Sequence, residues 1–440
     1  MTGTLTPSRT AAPARVRAVS PLRTELRRGL GPWTGAAVAV VVLVAMYGKA
    51  PVWQARWTDT TGLLHVAVGL LGGPLALAAG CWQGGRDRRR GTVELWESVP
   101  RSPLRRLLVA VAPSALWPVA GALFADAVCL LATRPYVSGG RPYLELLAAD
   151  AVALASLGAL GHLVGRLVPW RLAPPLLGVV GYVGLGIGTY AGGWARWLGP
   201  AVEYGWPWGR PVWWFAPVSS AWAAGLALAA LLAYGARTAR PRAFALVPLA
   251  VAVAAAGLIL RLPADEGPWR PDPSLIRPVC DGGTPQVCAT ALDRKLLPAL
   301  SEALAPINAR LRGLPGAPAR WAVGPLDPRP GDVQLLDPSA DSVRGRIERA
   351  DLYRNFAVMQ LFSDTCRPGD LAGPNAERAM TVNAAVIEWL APTPDGFGPD
   401  VAGTQPHIDR LRAKSPAAQR DYLARYLAAN TCHPDEVPIP

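Results

Sequence analysis

Lysine is almost missing from this 440-residue chain: three lysines stand among its 44 basic residues. No Gly-x-x-x-x-Gly-Lys-Ser/Thr loop occurs, so nothing in the chain cradles and hydrolyses nucleotide phosphates. Histidine is scarce too, at four residues. Neither a His-Glu-x-x-His helix nor a Gly-x-Ser-x-Gly turn is present, which removes the common hydrolase signatures and leaves no enzyme activity to expect. The cysteines lack the close Cys/His pairs that zinc requires, and His433 adjoins Cys432 rather than lying a turn away, so no metal and no cofactor is expected. Acidic residues are sparse in one part only. Residues 1–262 hold 9 Asp/Glu against 25 Arg/Lys, a net of +16, and residues 263–440 hold 22 against 19, a net of −3. The sequence pI of about 10.0 therefore belongs to the first part. That part also carries the apolar runs, so its charge fits a membrane surface better than nucleic acid.

A helix crossing ~30 Å of hydrocarbon needs roughly 20 mostly apolar residues. Seven stretches qualify: Trp33 to Met46 with an extension to Trp53, Thr61 to Trp82, Leu107 to Leu131, Leu144 to Leu167, Ala173 to Tyr190, Val218 to Tyr234 and Ala243 to Leu262. Basic residues crowd alternate loops. Six arginines precede the first span, seven lie between the second and third, and three between the sixth and seventh, against two Lys/Arg in each opposite loop. By the positive-inside rule the amino terminus is cytoplasmic and the carboxyl terminus extracytoplasmic. Residues 1–32 then form an Arg-rich cytoplasmic tail on the anionic inner leaflet, followed by a retained first helix rather than a cleaved leader. Cysteine usage agrees with this orientation. Cys81 and Cys129 fall in spans, whereas Cys280, Cys288, Cys366 and Cys432 all lie in the segment placed outside, where two disulfides are expected and Cys280 with Cys288 is the nearest pair.

The second inside loop runs from Gly84 to Arg106. Thr92 is placed to cap a short helix through Ser98, with Leu95, Trp96 and Val99 on its apolar face and Pro100 ending it. Here the residues resemble a known family. An acidic residue, three positions, Gly-Thr, an acidic-Leu pair, then Ser-x-Pro-x-Ser and Arg, between the second and third spans, is similar to the coupling segment of type-2 ATP-binding-cassette (ABC) export permeases. Asp87 stands where that family has Glu, and Gly91, Thr92, Glu94, Leu95, Ser98, Pro100, Ser102 and Arg105 fall on the rest of the pattern. The resemblance implies an ABC ATPase as a separate chain that touches this loop, and a second permease subunit, identical or paired, beside this one. It also implies a re-entrant pair of short helices between spans five and six, where Trp194, Trp197, Tyr204, Trp206, Trp208, Trp213 and Trp214 suit a headgroup boundary. It covers roughly residues 20 to 235 and leaves the rest unexplained.

Ionisable residues inside spans are costly and face partners or cavities. His65, Asp126 and Asp150 come out in the outer part of spans two, three and four, where they can form one polar cluster that lines a vestibule or ties helices together. His162 lies near the inner end of span four, and Pro74, Pro113, Pro118, Pro174, Pro175 and Pro248 interrupt the helices.

After the spans comes a Pro-rich linker, 263–278, read as a stiff spacer, and then residues 279–440, read as a mostly helical α+β domain. Helices are expected over Ala289 to Leu314, Ser342 to Phe362, Asn375 to Leu390 and Pro416 to Ala429, and short strands at Trp321 to Gly324 and Asp332 to Leu336. Asp337, Asp341, Glu348 and Asp351 read as surface charges. The fold class is thus a polytopic α-helical membrane protein: a six-helix permease-like block (33–235), a seventh helix (236–262) and an extracytoplasmic disulfide-bonded domain with a binding, gating or assembly role. The function expected is that of a permease subunit in an ATP-driven export system of a bacterial plasma membrane. The rival is a membrane-anchored binding or sensor protein that transports nothing. On intact cells without reductant, Cys280, Cys288, Cys366 and Cys432 are expected to resist a membrane-impermeant maleimide, and a cysteine placed at Ser98 to be inaccessible from outside; labelling of either set would overturn the disulfide or the topology reading respectively.

Overall fold

The computed structural model describes residues 21–27, 29–92, 94, 98, 100–191, 193–202, 207–236, 238, 242–263, 266–338, 342–363, 375–393, 403–429 and 433–440. Apolar runs without strand-like alternation become helices: α1 (Pro21–Arg27), α2 (Gly31–Tyr47), α3 (Trp57–Gly84), α4 (Pro103–Thr133), α5 (Leu144–Leu167), α6 (Ala173–Ala191), α7 (Phe215–Gly235) and α8 (Leu246–Ile259). Four of them, α3, α4, α5 and α7, are long and apolar enough alone to cross a membrane, and α1 with α2, across a 48° bend, makes a fifth candidate. The apolar part of α6 (Ala173–Gly188) and the whole of α8 are shorter. The chain is a helical membrane protein by that measure. Its lipid-compatible surface includes Val44, Leu131, Val179, Ile187, Val247 and Val253, each more than half exposed.

The first span does not extend to Trp53. Pro51 lacks the N–H a continuing helix would need, so α2 ends at Tyr47 and Ala50–Trp53 forms a separate turn. The Trp53 indole Nε1 then donates to the Met46 carbonyl at 2.7 Å, folding the turn back on α2. In α3, a π-turn at Val68–Gly72 precedes Pro74. A proline ring crowds the carbonyl four residues before it, and a wider turn relieves that clash.

Glycine sets the closest helix packing. A Cβ on Gly84 would lie 2.0 Å from the His162 carbonyl oxygen of α5, and one on Gly165 would lie 2.0 Å from the Cys81 carbonyl oxygen of α3. Only glycine fits at these positions, and the seam follows the small-xxx-small spacing Gly80/Gly84 against Gly161/Gly165.

The C-terminal module holds a four-stranded sheet in the order β3 (Pro278–Cys280), β4 (Gln286–Thr290), β5 (Arg320–Val323) and β6 (Asp332–Leu335). The β3/β4 pair is antiparallel and the other two are parallel. Cys280 and Cys288 are opposite one another in the β3/β4 register and are disulfide-bonded. Cys366 and Cys432 lie outside the described residues. Helices α9 (Leu297–Leu311), α10 (Ala350–Ser363), α11 (Ala376–Leu390), α12 (Thr404–Ala413) and α13 (Pro416–Ala428) cover the sheet. Their shared core includes Val287, Leu304, Trp321, Val358, Val386 and Tyr426. Two expected helices begin late. Ala289 and Thr290 belong to β4, and Ala291–Leu296 is a 3-10 turn, so α9 starts at Leu297 with Pro298 in its first turn. Residues 342–347 form a hairpin (Ser342–Val343 with Arg346–Ile347) through Arg344 and Gly345, both at positive φ, and helix resumes only at Ala350.

The linker is no spacer. Within it β2 (Trp269–Pro271) pairs antiparallel with β1 (Gly209–Pro211) from the loop before α7, and Pro273–Ile276 is a helical turn capped by Asp272. Arg56, just before α3, completes the attachment. Its Nε and Nη2 donate to Asp293 Oδ1 at 2.9 and 2.8 Å, its Nη1 donates to Asp337 Oδ2 at 2.6 Å, and its Nη2 also meets Asp337 Oδ1. Asp337 is therefore an ion-pair partner rather than a surface charge. Burial works against the Arg56 charge, but the Asp337 hydrogen bond and the two carboxylate charges outweigh it and raise its pKa. Arg56→Met is expected to cost about 3–5 kcal/mol by leaving Asp293 buried and unpaired. Arg344→Ala, which removes only the bond to Gln54 (2.5 Å), is expected to cost about 1 kcal/mol. Denaturant unfolding of the detergent-solubilised chain distinguishes the two.

Candidate functional site

The α3/α5 seam carries polar groups at both ends. At the end away from the C-terminal module, α3 leads into the loop singled out by sequence. Arg86–Arg89 is one helical turn, closed by Gly91 at φ 64°. The Gly91 N–H donates to the Arg88 carbonyl (3.2 Å) and the Thr92 N–H to the Asp87 carbonyl (2.9 Å), which is the glycine-terminated helix end that needs a left-handed residue. The Thr92 hydroxyl also turns back to the Asp87 carbonyl, at 3.4 Å, and so closes the preceding turn, while the helix expected after it lies largely outside the described residues. Ser98 N–H reaches the Glu94 carbonyl at 3.0 Å, one helical turn. Leu95, Trp96 and Val99, the expected apolar face, lie outside the described residues. Pro100 is exposed. Ser102 caps α4, its hydroxyl accepting from the Arg105 N–H at 3.4 Å.

Asp87 ties the loop to the end of α5. Arg166, at the end of α5, donates from Nη2 to Asp87 Oδ2 (3.3 Å), and Arg88 Nη2 donates to the Arg166 carbonyl (2.6 Å). Arg86 pairs with Glu25 of α1 at 2.9 Å and with Asp87 at 3.5 Å. Burial disfavours the Arg86 charge, yet the Glu25 hydrogen bond and the charges of Glu25 and Asp87 raise its pKa. From Arg166 the bonding continues inward. Its Nε donates to His162 Nε2 at 3.3 Å; a guanidinium only donates, so His162 Nδ1 carries the proton and donates to Ser114 Oγ at 3.1 Å. The Ser114 hydroxyl in turn donates to Gln83 Oε1 at 3.2 Å. One chain of hydrogen bonds thus joins the loop to α5, α4 and α3. The sequence singles out none of Arg166, Ser114 and Gln83 as site residues. The Gly80/Gly84 and Gly161/Gly165 spacings were the available signal, since they fix which faces of α3 and α5 meet.

At the other end, His65 of α3 and Asp150 of α5 pair at 2.6 Å between His65 Nδ1 and Asp150 Oδ1, both buried. Asp126 of α4 is buried within electrostatic range of Asp150, and its Oδ1 has no hydrogen-bond partner. The expected three-residue cluster is therefore one bonded pair with a separate carboxylate nearby. A cavity of about 300 Å³ opens beside the pair. Its walls come from α3, α5, α6 and α7 and from the segment Trp197 to Pro200. That segment is no re-entrant helix pair among the described residues: Trp194–Leu198 is a single 3-10 turn, the chain then enters β1, and Tyr204 and Trp206 lie outside the described residues. Trp197 is buried in an aromatic cluster with Tyr143, Phe215 and Trp269.

No group of three or more His, Cys, Asp or Glu suited to a metal occurs among the described residues. No protein-family model matches the chain, and no curated protein and no solved structure is significantly similar to it. Arg166→Ala is expected to destabilise the solubilised protein by about 1–3 kcal/mol, the value of its hydrogen bonds to Asp87 and His162, with Asp87 keeping its longer contact to Arg86. Exposed Arg171→Ala is expected to change stability by less than about 0.5 kcal/mol in the same unfolding measurement.

Proposed function

We propose that the chain is the membrane-spanning permease subunit of an ATP-driven ABC export system, coupling a separate ATPase to substrate movement across a bacterial plasma membrane. The observation that carries this reading is the bonding of Asp87 through Arg166 and His162 to Ser114 and Gln83. A loop held this way can pass a push to three helices at once. The residues on the family pattern supply transmission and no covalent chemistry, and the absent phosphate-binding loop puts the motor in another polypeptide. Two such membrane subunits, identical or paired, enclose the path at their interface among membrane lipids. In this reading residues 33–235 are the six-span block, 236–262 add a seventh span, the loop end faces the cytoplasm and the C-terminal module lies outside the membrane.

The expected outcome of affinity purification from native membranes in mild detergent is recovery of a polypeptide bearing a phosphate-binding loop and ATPase activity. Replacing Gly91, Thr92, Val93 and Glu94 with a Gly/Ser segment is expected to abolish that recovery while the protein stays in the membrane. If neither form brings down an ATPase, the permease reading fails. The membrane-anchored binding protein, whose ligand would be sought on the C-terminal module, then takes its place.

A further inference from the structure

The cavity beside His65 and Asp150 holds a concentration of unmet hydrogen-bonding capacity. Asp150 Oδ2, Ser219 Oγ and Trp197 Nε1 are all buried without a hydrogen-bond partner, and all three residues line this one cavity. Asp150 and Trp197 are 6 % and 5 % exposed, so bulk water does not satisfy them. Leaving such groups unpaired costs on the order of 1–3 kcal/mol each. The remaining wall is mostly aliphatic, with Leu157 and Leu160 of α5, Leu185 of α6 and Leu226 of α7. Neither arginine nor lysine lines it; the ionisable groups on its wall are Asp150 and His65, which donates to the other oxygen of that carboxylate.

We propose that this cavity binds an amphipathic amine, a molecule with an ammonium group and an apolar body. A carboxylate oxygen can only accept, and an ammonium is the donor that satisfies it best in a dry site. The Ser219 hydroxyl and the Trp197 indole N–H then suit a hydroxyl or carbonyl oxygen next to the amine. The aliphatic wall takes the chain. About 300 Å³ is the lower end of the roughly 300–1,000 Å³ of small-molecule sites, which admits one alkyl or small ring system and no folded peptide. The side at Trp197 to Pro200 is fixed, because a Cβ on Gly69, in the π-turn one helical turn beyond His65, would lie 1.9 Å from the Pro200 carbonyl oxygen. The inference stands without the ATPase reading, since binding belongs to the membrane chain alone.

The test uses the full chain in lipid nanodiscs and dodecylamine carrying an aliphatic diazirine, with crosslinked peptides mapped by mass spectrometry. Crosslinks are expected on the peptides containing Leu157, Leu160 and Leu226, competed by dodecylamine and not by dodecanoate or dodecanol. Asp150→Asn, which keeps the shape, is expected to weaken competition by dodecylamine about ten-fold or more. Ala223→Trp, which fills the cavity from α7, is expected to remove the crosslinks and serves if the Asn variant fails to fold. Loss of labelling in phosphatidylethanolamine nanodiscs, with retention in phosphatidylglycerol, would identify a lipid headgroup as the amine; labelling in both would identify a free amphiphile. Equal crosslinking by the amine and by a diazirine dodecanoate, unchanged by Asp150→Asn, would overturn the proposal and leave an unspecific apolar crevice.

Discussion

Contact between the backbones of α3 and α5 sets the rest of the membrane half. With carbonyl oxygens about where side chains would begin at Gly80, Gly84, Gly161 and Gly165, the two helices have one register and no slack. That register puts Asp87 against Arg166 at one end and His65 against Asp150 at the other. Neither polar pair would form if either helix slid by one residue, because a helical residue turns by about 100°. Small residues do here what apolar burial does in water: lipid is as apolar as leucine, so van der Waals contact and interhelical hydrogen bonds must hold the helices.

The second constraint is Arg56. It is 2 % exposed, bonded to two carboxylates of the C-terminal module and set over the Trp208 ring, with Thr290 Oγ1 donating to the far oxygen of Asp293. A buried ion pair of this kind contributes specificity of placement rather than net stability, since desolvation offsets most of its attraction. Further bonds agree on one placement: Arg344 to Gln54, Lys295 to the Pro135 carbonyl and Ser138, and the β1/β2 pair. The module is therefore seated on the loops between helices, and its position reports on theirs.

Much of this was legible in the sequence where one period dominated. Leu144–Leu167 appears with the expected ends, and Cys280 and Cys288 pair as read. The loop's functional residue types were visible as well, but the geometry that makes Asp87 matter was not, because a hydrogen-bonding chain through Arg166, His162 and Ser114 joins positions up to 79 residues apart. Helix periodicity also hid strands. Ala289 continues the apolar spacing of the helix after it and Ser342 stands where the sequence starts the next helix, yet β-sheet pairing and the left-handed turn at Arg344 and Gly345 decide their conformation. Asp337 reads as a surface charge and Arg56 only as one of two basic residues in an outside loop, since nothing local marks a residue that will be buried against a segment 281 positions away.

The same seam bears on how the two polar ends relate under the coupling reading. A pair of helices that cannot slide moves as one body, so displacement delivered at Asp87 reaches the His65/Asp150 end without being absorbed between α3 and α5. The cavity lies beside that end, where α3 and α5 meet α6, α7 and the Trp197 to Pro200 segment. α7 packs on both α5 and α8, and Trp222 Nε1 donates to the Leu198 carbonyl at 3.2 Å. A ligand bridging Asp150 to Ser219 would add a polar tie between α5 and α7 to the apolar packing that already joins them, as at Leu163 and Leu231. Under that reading occupancy of the cavity and movement of the loop are linked quantities, each biasing the other by the same free energy.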